Sequence, residues 1–573
     1  MSTRTWLTDT VPSERYPLYT RLNANDVLPE PLTPLGASLA WIQHILPGWS
    51  DGYVAGDAFT PDELSGEDIS PVAGLFYGRL YVNQSVVRVL GIRMGIGWEG
   101  VDAAYFSADS PPHTERPEDH NEAVSERMQR RTQWTLSTTT FPDLDEDRRL
   151  ADRCRAERPE LATLSAGALI ARARSVMPLE RLLWRGEVVA SNQAAVGPGV
   201  IGQLIGEADP SLAVKLIALP GDVDSAAPSY ALWDLSRLVR ADPALSATFD
   251  AGADGLLDVL AEKHPAFHER VTAFLREYGY RGPSEWDIGA DSWETRPELP
   301  LALIDRLRQL GEDSSPEARR AAKANEVEEA TAKALALLGD DEEAKQTLQA
   351  AVASARRFAG WRERGKTNCI KVLNEARVAL TELGRRLHEQ GHLGHPRQVF
   401  MALDAELETL VFDPASLTET LAARERQWQE LLEVQEPTFI EGGTPLTPLP
   451  ELPRRADGVT ASAKPGDVLT GGPGAAGVAR GRARVVLDTG AISEFQPGEI
   501  LVAPQTDPSW TPLFMVSAGV VVDAGAMGSH AMIVSRELGI PCAAGVSGAT
   551  RQIPDGTLVE VDGSAGTVTI LEG

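Results

Sequence analysis

The stretch from Glu436 to Pro465 divides the chain. Pro437, Pro445, Pro448, Pro450 and Pro453, with the Gly442-Gly443 pair, remove backbone donors and fix or loosen backbone angles, so no regular helix or central strand can run through it. The chain before it reads differently from the chain after it. From about residue 122 to 435 helix formers recur with apolar spacing. After Pro465 short Val-rich runs alternate with glycine-led turns. The expected organisation is a large, mainly helical domain over 1–435, a semi-rigid linker over 436–465 and a small α/β domain over 466–573.

Within the last part, Thr506 to Gly545 reads as a short helix, a buried strand at Ala518 to Val522, a turn marked by Gly525 and Gly528, and a helix from Ala531 to Leu538 closed by Gly539 and Pro541. Ser529 stands at the N-cap position and His530 in the first turn. A helix N-terminus has unsatisfied N–H groups and a partial positive charge, so it favours an anion. An imidazole there can attack a phosphoryl group, and the same N–H groups and the Ser529 hydroxyl can hold the product. A capping serine followed by a surface histidine is the plainer alternative. Arg484 to Asp488, Glu499 to Ala503, Leu558 to Asp562 and Thr567 to Leu571 read as further strands.

Composition narrows the function classes. A net charge of −28 opposes non-specific binding to nucleic acid or to an anionic membrane. No apolar run is long enough to span a bilayer. Cys154, Cys369 and Cys542 lie far apart, without metal-ligand spacing, and suit a reducing cytoplasm. His113 and His120 sit among acids in a loop expected over 107–121.

The N-terminal part opens with a polar arm to about residue 18. Pro29, Pro31 and Pro34 then forbid a regular helix between Tyr19 and Leu35. Leu161 to Val189, Tyr230 to Leu260 and Ser315 to Leu338 read as helices, and Asp340 to Gln390 as one long helix or two close ones. In the last of these Arg362 and Lys366 stand at i and i+4 on one face. Two such cations either clamp a transferring phosphoryl group or form a solvated charged face paired with Glu363. Tyr278 to Trp293 places Tyr280, Arg281, Glu285 and Asp287 among aromatics, as a loop with a salt bridge or as the rim of an aromatic-lined pocket.

Several linked motifs carry a resemblance. T-D-P-x-W-x-P-L-F, the G-V-V strand, G-x-x-G-S-H-A, I-V-x-R-E-x-G-I-P and D-G-x-x-V-x-V-D-G together resemble the swivelling phosphohistidine domain of phosphoenolpyruvate-utilising enzymes, over about 110 residues from Gly466. The resemblance implies that His530 becomes phosphorylated, with Thr506, Gly528 and Ser529 supporting the phosphate. Gly525-Ala526 stands where that family more often has Gly-Gly. Tyr19 to Leu35, F-L-R-E-Y-G-Y-R-G-P-S-E-W-D and Leu383 to Phe400 resemble the helical acceptor-binding domain of rifampicin phosphotransferase and related synthases. There an R-x-x-x-K pair faces the phosphohistidine, which implies that role for Arg362 and Lys366. Tyr280 stands where that family usually has His.

No G-x-x-x-x-G-K-[ST] loop occurs, and only 43 residues follow His530, too few for a phosphoenolpyruvate-binding TIM barrel. The class implied is the split phenylphosphate or alkylphenyl phosphate synthase subunit. A separate ATP-grasp subunit of the pyruvate phosphate dikinase type would bind ATP and Mg2+ and phosphorylate His530, and a small phenol would be the acceptor. The alternatives are a rifamycin-type antibiotic phosphotransferase and a non-catalytic scaffold.

Overall fold

The computed structural model describes residues 5–22, 24–25, 27–65, 71–106, 110–206, 208–217, 227–252, 255–312, 315–455, 462–487, 495–506, 510–525 and 529–572. Its chain forms two compact units. The first takes 1–194, 284–290 and 361–459, and the second takes 195–283, 291–360 and 460–573. These units cut the chain elsewhere than the expected boundaries at 435 and 465.

The first unit is not purely helical. A four-stranded antiparallel sheet runs β2-β3-β1-β4, with β1 Leu18–Thr20, β2 Ala73–Phe76, β3 Arg79–Asn83 and β4 Phe439–Glu441. The expected apolar segment Leu75 to Val89 is a hairpin followed by a helix, Gln84–Met94. Tyr77 and Gly78 both have positive φ (55° and 68°), as a two-residue hairpin loop of the primed type requires. Asp9 Oδ1 accepts from Gly78 N at 2.9 Å and holds that turn. Residues 5–18 are therefore not a loose arm: Trp6 and Asp9 are buried against the hairpin. Around the sheet, Trp6, Tyr19, Phe76, Tyr77, Tyr81, Leu431, Val434, Ile440 and Leu452 form one core cluster.

The described part of the expected linker is docked on this unit. Strand β4 pairs with β1 in register Tyr19↔Ile440, and the Glu436 carboxylate sits between Arg21 (3.2 Å), Arg79 (3.4 Å) and Arg455 (3.1 Å). Burial pushes the Glu436 pKa up, but Arg79, Arg21 and Arg455 outweigh it and leave the group below its ordinary value. A carboxylate with a depressed folded pKa contributes stability above its unfolded value of about 4.5, and that contribution is lost as pH falls through the folded value. Glu436→Gln would leave Arg21 and Arg79 buried beside a neutral amide. Chemical denaturation at pH 7 is expected to show a loss of about 3–5 kcal/mol. The gap should close at lower pH, where the wild-type carboxylate is protonated. An equal gap at both pH values would mean that packing, not charge, holds this segment.

Two long helices complete the frame. Helix α1, Ala166–Gln193, starts at Ser165, whose hydroxyl accepts from Ala168 N. Helix α2, Glu342–Glu389, is one continuous helix of 48 residues, whose first part belongs to the second unit and whose remainder to the first.

In the second unit an eight-stranded sheet runs β5-β12-β11-β7-β8-β9-β10-β6. Its strands are β5 Val468–Thr470, β6 Gly472–Ala475, β7 Val478–Val485, β8 Ile500–Ala503, β9 Gly519–Val522, β10 Cys542–Ala544, β11 Leu558–Asp562 and β12 Thr567–Glu572. The run β7-β8-β9-β10 is parallel and fully buried at its centre, which explains the unalternating Val-rich sequence of β8 and β9. One face packs Val502, Val521, Val559 and Ile570. The other carries α3, Thr511–Val516, and α4, His530–Leu538, and shares a core with helices over 227–307 through Trp233, Phe274, Ile304, Leu513, Phe514 and Met532. The expected helix Tyr230 to Leu260 is three, Ala227–Ala241, Pro243–Asp250 and Leu256–Lys263. Asp242 caps the second, and Pro243 can begin a helix but not continue one.

Candidate active site

Strand β9 ends at Val522, and α4 begins at His530 and ends at Gly539 in the left-handed conformation (φ 67°). Both ring nitrogens of His530 meet threonine hydroxyls, Nδ1 with Thr506 Oγ1 at 2.9 Å and Nε2 with Thr511 Oγ1 at 3.2 Å. The Phe514 ring stands edge-on to the imidazole at 5.8 Å and 87°. Three short segments therefore orient one half-buried ring: the loop after β8, the start of α3 and the start of α4.

Ser529 occupies the N-cap position with extended angles (φ −68°, ψ 154°), but its side chain does not cap the helix. Its hydroxyl is buried and has no hydrogen-bond partner among the described residues. Gly525 makes room for it, since a Cβ there would come within 3.1 Å of Ser529 Oγ. A buried hydroxyl without a partner costs free energy. Here it lies at a helix N-terminus beside the His530 imidazole, where an anion could use it together with the first N–H groups of α4. Gly528, the other expected phosphate support, lies outside the described residues.

The cations of the first unit lie where α2 packs on α1. Gly365 makes that approach close, because a Cβ there would stand 3.0 Å from the Glu187 backbone. Lys366 Nζ contacts Glu363 Oε1 at 3.2 Å, the pairing a charged face would show. Arg362 differs: half-buried, it makes no hydrogen bond or ion pair among the described residues. Beside both cations lies Glu187 of α1, 6% exposed, with Ser191 Oγ donating to its Oε1 at 2.6 Å. Burial raises the Glu187 pKa, and Lys366 and Arg362 work against that rise.

The residues expected at a pocket rim are buried. Tyr280, Arg281 and Glu285 are only 2–3% exposed. The Arg281 guanidinium lies over the Tyr280 ring at 5.2 Å, and its carbonyl accepts from Trp293 N, closing the loop on itself. The Glu285 carbonyl accepts from Arg377 Nη2 at 2.6 Å. Asp287 accepts from the amide and hydroxyl of Thr33, both at 2.8 Å. These are interior ties. Mixed charge among aromatics marks such a buried knot as readily as a pocket mouth.

Sequence reasoning missed Thr511, Glu187 and Ser191. Glu180, Trp184, Glu187 and Ser191 follow one another at helical spacing along α1. Polar residues interrupting an apolar stripe were the available signal. Thr511 sits inside the T-D-P-x-W-x-P-L-F motif without standing out. No helix among the described residues is long and apolar enough to cross a membrane.

Comparison with known proteins finds similar chains. A rifampicin phosphotransferase of Streptomyces sviceus is 31% identical over 370 residues, covering 62% of this chain and 40% of the relative. One of Bacillus cereus is 27% identical over 351 residues, covering 60% and 39%. An uncharacterized protein of Mycobacterium tuberculosis is 34% identical over 317 residues, covering 55% and 33%. The chain thus spans 33–40% of the length of these relatives. Residues 184–363 match the rifampicin phosphotransferase fourth domain, so Glu187 and Arg362 fall inside that match and Lys366 just beyond it. Residues 495–566 match the mobile domain of PEP-utilising enzymes, and His530, Thr506, Thr511 and Ser529 all lie within it.

Proposed function

We propose that this chain is the carrier and acceptor-binding part of a phosphotransferase. His530 takes up a phosphoryl group that originates in ATP and passes it to a hydroxyl of a small molecule held beside Arg362 and Lys366. The observation that carries the reading is the imidazole at the start of α4, positioned by Thr506, Thr511 and Phe514, beside a buried serine hydroxyl with no partner.

Thr506 on Nδ1 sets the tautomer that leaves the Nε2 lone pair for attack. The longer Thr511 contact is the one given up. Ser529 and the N–H groups at the start of α4 then hold the phosphate oxygens. ATP and Mg2+ would be bound by a separate ATP-grasp subunit of the pyruvate phosphate dikinase type and would supply the phosphoryl group, with AMP and phosphate released overall. The body over 466–573 then moves between the loading and acceptor sites. Arg362 and Lys366 neutralise charge on the group in transit.

For the acceptor, the match over 184–363 and the rifampicin phosphotransferase relatives favour a rifamycin-type hydroxyl over a simple phenol. The full chain, a candidate ATP-grasp subunit and radiolabelled ATP are to be incubated with rifampicin, phenol and alkylphenols in turn. Label is expected on rifampicin. Label on the phenols instead would move the acceptor class to small aromatic hydroxyls. Label on neither acceptor and none on the chain would reduce it to a scaffold.

A further inference from the structure

A phosphoryl transfer to a hydroxyl leaves one proton to be placed, and neither His530 nor the two cations can receive it while the transfer is under way. The described carboxyl groups near the α1–α2 contact include Asp147, Glu180, Glu187, Glu363 and Glu375, and Glu375 is taken up by Arg158 and Arg172. Glu363 is already engaged with Lys366 Nζ. Glu180 is fully buried near Trp184 and Cys369, no cation is among the groups acting on it, and burial pushes its pKa well above the ordinary carboxyl value. Asp147 packs against Gly186, where a Cβ would come within 2.2 Å of its Oδ2, and its charged neighbours are Asp143, Arg185 and Glu146.

Glu187 alone stands with both Arg362 and Lys366. Gly365 brings the α2 backbone against it, and Ser191 holds one of its oxygens in place. Its other oxygen, Oε2, has no hydrogen-bond partner among the described residues. The charged groups acting on it are Lys366, Arg362 and Glu363. We propose that Glu187 is the proton acceptor for the hydroxyl that receives the phosphoryl group. This rests on the reading of Arg362 and Lys366 as the acceptor-side clamp.

In the step, the acceptor oxygen forms a bond to phosphorus as its O–H proton passes to Glu187 Oε2. The N–P bond at His530 breaks, and its electron pair returns to the ring nitrogen. Glu187 then releases the proton to solvent. Burial makes the carboxylate more basic than an exposed glutamate, and the two cations work against that rise. A general base matters most when the hydroxyl is weakly acidic. The role therefore predicts a dependence on the acceptor that a structural role does not.

The test uses the full chain, labelled on histidine with its ATP-loading partner, in single-turnover transfer from pH 5 to 9. Glu187→Gln is expected to slow transfer to a weakly acidic hydroxyl by about 10²–10⁴-fold. It should abolish the rise of rate with pH that the wild-type carboxylate gives, and leave loading of His530 unchanged. The deficit should shrink as the acceptor hydroxyl becomes more acidic, and Glu187→Asp should restore part of the rate. Ser191→Ala keeps the carboxylate but frees one of its oxygens, so a smaller loss than in Glu187→Gln is expected. If Arg362→Ala loses transfer but Glu187→Gln transfers at the wild-type rate, or with a deficit blind to acceptor acidity, the assignment to Glu187 is overturned while the clamp stands. If both variants transfer normally, the clamp reading falls as well.

Discussion

Replacing His530 with alanine is expected to reduce phosphorylation of the acceptor to background, a loss on the order of 10⁶-fold as for other covalent nucleophiles. The fold should survive. The imidazole is half-buried, its hydrogen bonds go to two threonine hydroxyls, and its ring contact is with Phe514. Removing it leaves Ser529 at the N-cap and the buried β9 untouched. A denaturation curve of His530→Ala should therefore lie within about 1 kcal/mol of wild type, as for most substitutions away from a packed core. Label retained on the alanine protein would place the carrier on another residue.

Alanine at Arg362 or Lys366 is expected to give the second large effect at a different step. Neither residue takes part in loading under the proposal, so ATP-dependent labelling of His530 should be unchanged. Discharge to the acceptor should then fall by about 10²-fold or more, the cost of removing one preorganised charge from a transition state. Stability should move little, because Lys366 and Glu363 form a partly buried pair three residues apart on one helix, worth about 0.5 kcal/mol. Arg362 has no ion pair to lose among the described residues. Lys366→Arg keeps the charge but replaces a compact ammonium with a planar fork, so an intermediate rate is expected. Wild-type discharge by both alanine variants would make the pair a charged surface and nothing more.

The carrier region was legible in the sequence because its constraints are local. A Val-rich strand, a glycine turn, Ser529, His530 and the Gly539-Pro541 stop follow one another within 25 residues, and each shows its physical reason in its own side chain. The structure kept the placement and changed a detail, since Ser529 stands at the N-cap without capping. The parts that were not legible depend on partners far away in the chain. β1 pairs with β4 across more than 400 residues, so the segment after Glu436 reads as a tether until Arg21 and Arg79 are seen to hold it. Tyr280, Arg281 and Glu285 read as a pocket mouth because burial cannot be read from a short mixed run. Glu187 was hidden for the opposite reason. It sits in an ordinary helical stripe, and only the close approach of Gly365 gives it the two cations as neighbours.

The most direct measurement is a chase from the phosphorylated chain. The full chain is loaded with labelled phosphate, freed of ATP and of its loading partner, and mixed with acceptor in a quenched-flow apparatus. Label should leave His530 and appear on the acceptor in equal amount, with no ATP present, and the acid-labile phosphohistidine signal should decay at the same rate. Label that stays on the chain, or that appears as inorganic phosphate equally fast with and without acceptor, would contradict the account.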